Sequence, residues 1–270
     1  MRRFAPHDHL LSFVILFIIG FYIWYVSVHI GSSSSLLQVL GSVLIFTLLI
    51  DGAKMLAELL VVSRRIPLRI THYDKNHRDL TVVIACHQGA DKIAPTVESV
   101  RKSLIGATII VADDASRDET SVIALKSGAK VLKLGFNRGK VGAIHRVLDY
   151  VKTKYVLIMD DDMRVENSNL PYDLLDRYDA VAFNVVPTGD GFWADLQRHE
   201  YRKSMQIGKR YHAPYGTVLC VSGAIGLFRT KRLKSQVGIH SGEFSGEDLE
   251  RTLLIHHAIG SRGVTYVPDT

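Results

Sequence analysis

Two kinds of hydrophobic pattern divide the chain. From Leu11 to Ile30 no charged residue interrupts the apolar run, and a helix of that length covers about 30 Å, the thickness of a bilayer's hydrocarbon core. The pattern predicts a transmembrane helix over about 10–30. A secretory signal peptide is the alternative suggested by Met1-Arg2-Arg3, but the run is too long for its apolar region and no small-residue cleavage site follows. After "GSSSS" (31–35), the stretch "LLQVLGSVLIFTLLI" leads into "DGAKMLAELLVVSRR" and predicts a second helix over about 36–62. Asp51, Lys54 and Glu58 share one face of it. They either mark where the helix leaves the bilayer or line a cavity within it.

From Asp79 onward the pattern changes to short β-branched runs alternating with helical ones. Strands are predicted at 80–86, 107–112, 130–134, 155–159, 179–184, 218–228 and 264–267. Between them "DKIAPTVESVRKSL", "DETSVIALKSG", "GKVGAIHRVLDYVK", "FWADLQRHEYRKSMQI" and "EDLERTLLIHHAIG" carry apolar residues at three- and four-residue spacing. Such alternation implies an α/β fold, a mainly parallel sheet covered on both faces, with ligands bound beyond the carboxyl ends of the strands. Three segments follow: a membrane hairpin over 1–65, a linker over 66–78 and a domain over 79–270.

Charge adds orientation. Arg2 and Arg3 flank the hairpin at one end and Arg64, Arg65 and Arg69 at the other, which places both ends on the cytoplasmic side. The expectation is an integral protein of the plasma or inner membrane with a cytosolic domain. Cys86 and Cys220 are then buried thiols in a reducing compartment. The net charge of +6 suits an anionic nucleotide or a lipid headgroup surface, and without a dense basic block no nucleic-acid partner is expected. His256-His257 diverge on a helix and have no zinc-type spacing. The basic, aromatic stretch 192–210 reads as a membrane-surface helix, an acceptor groove or a core-packed helix.

Candidate chemistry gathers at strand ends. "VLIMDDDMRVE" ends an apolar run in Asp160, Asp161 and Asp162. Capping needs one carboxylate, so three in a row point to a bound cation. Alternation lets Asp160 and Asp162 aim at one ion while Asp161 faces elsewhere. A hard cation, Mg²⁺ or Mn²⁺, takes one or two carboxylates and completes its shell with phosphate oxygens and water. Asp113 and Asp114 follow an earlier strand. Arg138, Gly139 and Lys140 open a helix, either as an anion cradle or as a solvated basic turn. Glu247 and Asp248 open another, where Asp248 is either a general base or a cap.

In order and spacing, the strand followed by "DDAS", "NRGK", "DDD", "SGAIG" and "GED" resembles family-2 inverting glycosyltransferases of the GT-A fold, with its Rossmann-like sheet. The likeness is to the membrane-embedded cellulose and hyaluronan synthase group, and it covers about 79–270. It implies a UDP-sugar donor, a polysaccharide or lipid acceptor, and membrane lipid as a partner. Ala85, Cys86 and His87 would lie near the uridine, Asp113 and Asp114 would read the base, and Arg138 and Lys140 would contact the nucleotide. Asp160 and Asp162 match the DxD motif that holds metal and diphosphate. Ser222, Gly223 and Glu247 fall on the acceptor side, and Asp248 matches the catalytic base.

Two departures stand out. Gly89 sits where many relatives carry an acidic residue, and the QxxRW motif that would follow "YVPDT" is absent, so a C-terminally incomplete or reduced domain is expected. Rival readings are transfer to a polyprenyl phosphate, a catalytically silent nucleotide-binding membrane protein, and a receiver-like signalling module, whose Lys followed by Pro is not found.

Overall fold

The computed structural model describes residues 20–22, 36–63, 76–243, 246–260 and 262–268. The chain forms two compact units, Met1–Ile66 and Pro67–Thr270.

In the first unit, α1 (Leu36–Ser63) is a single helix, and the Tyr22 ring stacks on Phe46 with centroids 4.0 Å apart. Among the described residues no helix is long and apolar enough to cross a membrane. This corrects the expectation of an integral membrane protein, and the cytosolic assignment drawn from the flanking arginines goes with it. The physical reason lies in α1. Its apolar run stops at Asp51, with Lys54 one turn further on, so the stretch from Leu36 to Ile50 covers only about 22 Å of a roughly 30 Å core. The helix expected over 10–30 lies, apart from residues 20–22, outside the described residues.

The second unit is built on a seven-stranded sheet: β1 (Leu80–Cys86), β2 (Thr108–Asp113), β3 (Lys130–Lys133), β4 (Tyr155–Asp160), β5 (Ala180–Phe183), β6 (Ile225–Arg229) and β7 (Val264–Val267). Their order is β3-β2-β1-β4-β6-β5-β7. β1 and β4 read as unbroken apolar runs because both faces are covered. Val82, Ile84, Leu157 and Met159 point into one core with Val97 and Val100 of α2 (Ile93–Ser103) and Ala124 of α3 (Thr120–Lys126). Val83, Val156 and Ile158 point into the other. There they meet Ile144 and Val147 of α4 (Gly139–Leu148), Leu233 of α6 (Thr230–Lys234) and Ile255 of α7 (Glu247–Ile259). Another helix, α5 (Phe192–Arg202), buries none of its residues and runs on into a π-helical segment, Lys203–Lys209.

Chain direction positions the site. After building outward through β2 and β3, the chain crosses to the other side of β1 to place β4, and the crevice at such a switch point is where ligands bind in open α/β sheets. The sheet is not parallel throughout: β6 runs antiparallel to both β4 and β5. It therefore starts where β4 ends, and the Asp160 N–H donates to the Ala224 carbonyl at 3.0 Å. The strand predicted over 218–228 is a strand only from Ile225. The preceding residues leave the sheet and deliver Ser222 and Gly223 to its carboxyl edge.

Behind that edge, α4 and α7 pack around two imidazoles. The rings of His145 and His240 meet edge-on at 5.6 Å, and the His240 Nε2–H donates to the Glu247 carbonyl at 2.8 Å. Burial, then His240 and Arg251, push the His145 pKa down to about 4. Below its unfolded value near 6.5 the unfolded chain binds the extra proton and the folded chain does not. Stability conferred by neutral His145 is thus complete above about pH 6.5 and falls as the pH drops towards 4. Melting temperature recorded from pH 8 to 4 should show this decline, and His145→Asn should reduce it while leaving the share of His240, whose pKa burial also lowers.

Candidate active site

Sheet register sets the first row of the site. Cys86 lies opposite Asp113 and Ala85 opposite Asp160, so the ends of β1, β2 and β4 are level. Asp113 is fully buried and turned back on its own loop: Oδ1 accepts the Ser116 N–H at 2.8 Å, and Oδ2 accepts from the Ser121 hydroxyl. The loop it ties down puts Ala115 at φ 60, and Gln88 in the neighbouring loop has φ 53. Left-handed conformations of this kind cost free energy and cluster at ligand sites. Asp114 Oδ1 accepts the Arg138 N–H at 2.7 Å, and His87 Nδ1 lies 2.7 Å from the Asp114 carbonyl. Together these loops wall a cleft of about 700 Å³, lined by His87, Ser116, Arg117, Lys133, Phe136 and Asn137 among others. The Arg138 guanidinium stacks 4.2 Å from the centre of the Phe136 ring.

The three aspartates after β4 part company. Asp161 turns under β1, where its Oδ2 accepts from the Cys86 thiol at 3.0 Å and its carbonyl accepts from Thr96 Oγ1. Burial, then Asp161, drive the Cys86 thiol pKa upward. Asp162 is exposed. Asp160 is half-buried and ion-paired, its Oδ1 2.6 Å from Lys140 Nζ. Burial raises its pKa against the opposing pull of Lys140, and Asp162 and Asp161 raise it further.

Lys140 also reaches Glu247 Oε1 at 3.1 Å and the Gly223 carbonyl at 3.1 Å. It thereby joins the end of β4 to the N-terminus of α7 and to the segment before β6. Next to Glu247, Asp248 Oδ2 accepts the Gly223 N–H at 3.1 Å and the Cys220 thiol at 3.3 Å, while Oδ1 accepts the Leu249 N–H at 2.8 Å. Burial pushes the Asp248 pKa up, but the hydrogen bonds from Cys220, Gly223 and Leu249 outweigh it and hold the carboxyl below the usual range. The same neighbourhood, burial first and Asp248 second, pushes Cys220 up to about 12. Ser222 stays local, its Oγ accepting the Ala224 N–H at 3.4 Å.

The structure thus brings Lys140, Asp160, Gly223, Glu247 and Asp248 into one cluster, while His87 and Asn137 line the separate cleft. Cys86, expected beside the uridine, donates instead to Asp161. Other participants escape a reading of the chain alone. Cys220 donates to Asp248. Lys209, from the π-helical segment, is close enough to Cys220 and Asp248 to feel their charge, while burial lowers its pKa. Arg251 is buried behind the cluster with Nη2 lacking a hydrogen-bond partner. A buried Arg one turn after "GED" is the only signal the sequence offered.

Among the described residues no group of three or more His, Cys, Asp or Glu is arranged to hold a metal ion. The oxygen donors Asp160 and Asp162 nonetheless fit a hard cation that draws its other ligands from phosphate and water.

A sheet of this order, with a nucleotide-sized cleft at its carboxyl edge and carboxylates after β4 and at the start of α7, has the architecture of a GT-A-like glycosyltransferase. The chain belongs to glycosyl transferase family 2, which it matches over residues 81–235. It is similar to the poly-beta-1,6-N-acetyl-D-glucosamine synthase of Staphylococcus epidermidis, 23% identical over 189 residues, which are 66% of this chain and 45% of that protein. It is also similar to the 4,4'-diaponeurosporenoate glycosyltransferase of Staphylococcus aureus, 25% identical over 124 residues, 44% of this chain and 33% of that one. The chain therefore spans less than half the length of these curated relatives. Among solved structures, the fold is shared with the mannosyltransferase PcManGT from Pyrobaculum calidifontis in complex with GDP-Man and Mn²⁺: TM-score 0.56, 16% identity, 81% of this chain and 64% of that one. It is shared too with S. aureus TarS: TM-score 0.52, 20% identity, 71% and 35% covered.

Gly89 acquires a physical reason here. It is buried, and a Cβ on it would meet the Cys86 sulfur and lie 2.5 Å from Asp161 Oδ2. An acidic side chain at this position would need the volume and the charge site that Asp161 already occupies. Gly89→Asp should lower stability by about 2 kcal/mol or more through overpacking and like-charge burial, and Gly89→Ala by less. Urea denaturation of both variants checks the order.

Proposed function

We propose that this chain transfers a sugar from a UDP-sugar to a hydroxyl of a polysaccharide or other acceptor, with inversion at the anomeric carbon. The observation that carries the reading is Asp248: a carboxylate held ionised by neutral donors and linked through Gly223 and Lys140 to Asp160. The synthase relative, named for a polysaccharide product, supports that class of acceptor.

In this reading the cleft beside His87 and Asn137 takes the nucleoside. The Arg117 and Lys133 side chains lining it favour an anion there. Asp113, whose oxygens are taken by the Ser116 N–H and the Ser121 hydroxyl, acts by shaping the loop behind the cleft wall. Asp160 and Asp162 would hold Mg²⁺ or Mn²⁺, which when bound supplies Lewis-acid stabilisation of the departing diphosphate; the PcManGT complex contains Mn²⁺. Asp248 removes the acceptor hydroxyl proton as that oxygen attacks the anomeric carbon. The bond from that carbon to the diphosphate breaks, and its electron pair leaves with UDP. Ser222, Gly223 and Glu247 bound the acceptor side.

Thermal shift with UDP, GDP and CDP, with and without Mn²⁺, tests the donor half: stabilisation is expected from UDP only when metal is present, and Asp162→Ala should abolish it. Asp248→Asn should leave that shift intact and slow transfer by about a hundredfold or more. If Asp248→Asn retains most activity, the acceptor is already an anion, as a polyprenyl phosphate would be. Equal UDP shifts without metal would remove the role given to Asp160 and Asp162.

A further inference from the structure

Lys140 spends its ammonium on three acceptors from three parts of the fold: Asp160 Oδ1 at 2.6 Å after β4, Glu247 Oε1 at 3.1 Å on α7, and the Gly223 carbonyl at 3.1 Å before β6. An ammonium has three donors and no acceptor, so none is left for a phosphate while this arrangement lasts. The shortest of the three contacts goes to a carboxylate that is proposed above to hold the divalent cation. Asp160 is partly buried and is followed directly by two further carboxylates, Asp161 and Asp162, so a cation beside it relieves the crowding of negative charge.

We infer that Lys140 is a stand-in cation: it neutralises Asp160 while the donor site is empty and is exchanged for the divalent metal when the nucleotide arrives. The inference rests on the reading of Asp160 as a metal ligand. Its physical basis is that one carboxylate oxygen cannot hold an ammonium and a divalent ion side by side without strong repulsion between the two cations. Metal alone therefore competes with Lys140 for Asp160. A nucleotide diphosphate changes the balance, because its own negative charge accommodates both cations. The lysine stem is flexible, and its head is a compact point charge, so Nζ can leave Asp160 for a phosphate oxygen while keeping Glu247 and the Gly223 carbonyl. Gly223 is also the residue whose N–H holds Asp248. The acceptor side therefore stays anchored to Lys140 while the donor side changes partner.

The device makes a prediction of opposite signs that a merely structural lysine does not. Removing the charge, as in Lys140→Met and Lys140→Gln, should tighten binding of Mn²⁺ alone and weaken binding of UDP in the presence of Mn²⁺, each by about fivefold, the scale set by a partly buried ion pair. Free Mn²⁺ followed by electron paramagnetic resonance reports the first quantity. Calorimetric titration of UDP at saturating Mn²⁺ reports the second, with melting temperature checking that the variants are folded. The unmodified chain supplies an independent readout: reductive methylation of Lys140, followed by mass spectrometry, should speed up when Mn²⁺ is added without nucleotide. Weaker Mn²⁺ binding in both variants, or a Lys140 labelling rate indifferent to Mn²⁺, overturns the exchange. If the unmodified chain shows no Mn²⁺-dependent UDP binding, the donor reading itself fails and takes this inference with it.

Discussion

Carboxylate crowding at one edge of the sheet is the constraint that shapes this domain. Asp160, Asp161 and Asp162 follow β4, and Glu247 and Asp248 face them from the start of α7. Like charges so close would drive one another towards protonation unless each met a partner. Each that is withdrawn from solvent does, and the partners come from different elements. Lys140 on α4 serves Asp160 and Glu247 together, the Cys86 thiol at the end of β1 serves Asp161, and Cys220 with the Gly223 N–H serves Asp248. Only Asp162 is left to water. The antiparallel course of β6 follows the same logic, because it alone brings residues 220–223 to the edge where the charges stand.

Much of the framework can be read from the chain because period and burial are local. Unbroken apolar runs mark β1 and β4, three- and four-residue spacing marks α2, α4 and α7, and the ends of those elements put the aspartate clusters where strand ends must lie. What escaped depends on contacts between distant residues. "VLCVSGAIGLF" is apolar enough to be one strand, yet the Val221 N–H donates to Thr252 Oγ1 and the Gly223 N–H to Asp248, so backbone that periodicity assigns to a sheet is spent on α7. The direction of β6 leaves no trace in composition. Nor does the π-helical turn at Lys203–Lys209, which extends a pattern that otherwise fits α-helix. The apolar run of α1 suggested a bilayer span, because hydropathy averages over a window that Asp51 and Lys54 cut short.

The cysteines show how a residue type misleads when its partner is unknown. From the sequence they are two reduced, buried thiols. In the fold both are donors to site carboxylates, and a thiol in that position is held protonated by burial and by the neighbouring negative charge, with Cys220 pushed up to about 12. The thiolate is the reactive form, so neither residue is poised as a nucleophile. A thiol is also a weaker donor than a hydroxyl, and it leaves the carboxylate more of its basicity than a hydroxyl at the same place would.

Opposite shifts in two carboxylates on one edge support different work for each. Asp160 is raised, by burial first, against the opposing pull of Lys140 beside it. Asp248 is lowered although burial opposes it, because neutral N–H and S–H groups stabilise its charge. The first sits against a positive partner and is therefore suited to the side where a cation and a diphosphate meet. The second is ionised with no cation bound to it, which leaves it free to accept a proton from an uncharged hydroxyl. Had the metal sat on Asp248, its lone pairs would be committed and its basicity lost. Had neutral donors alone surrounded Asp160, a departing diphosphate would find no positive charge to meet it. This separation of cation-dependent from cation-independent carboxylate is what supports placing donor chemistry at the end of β4 and proton removal at the start of α7.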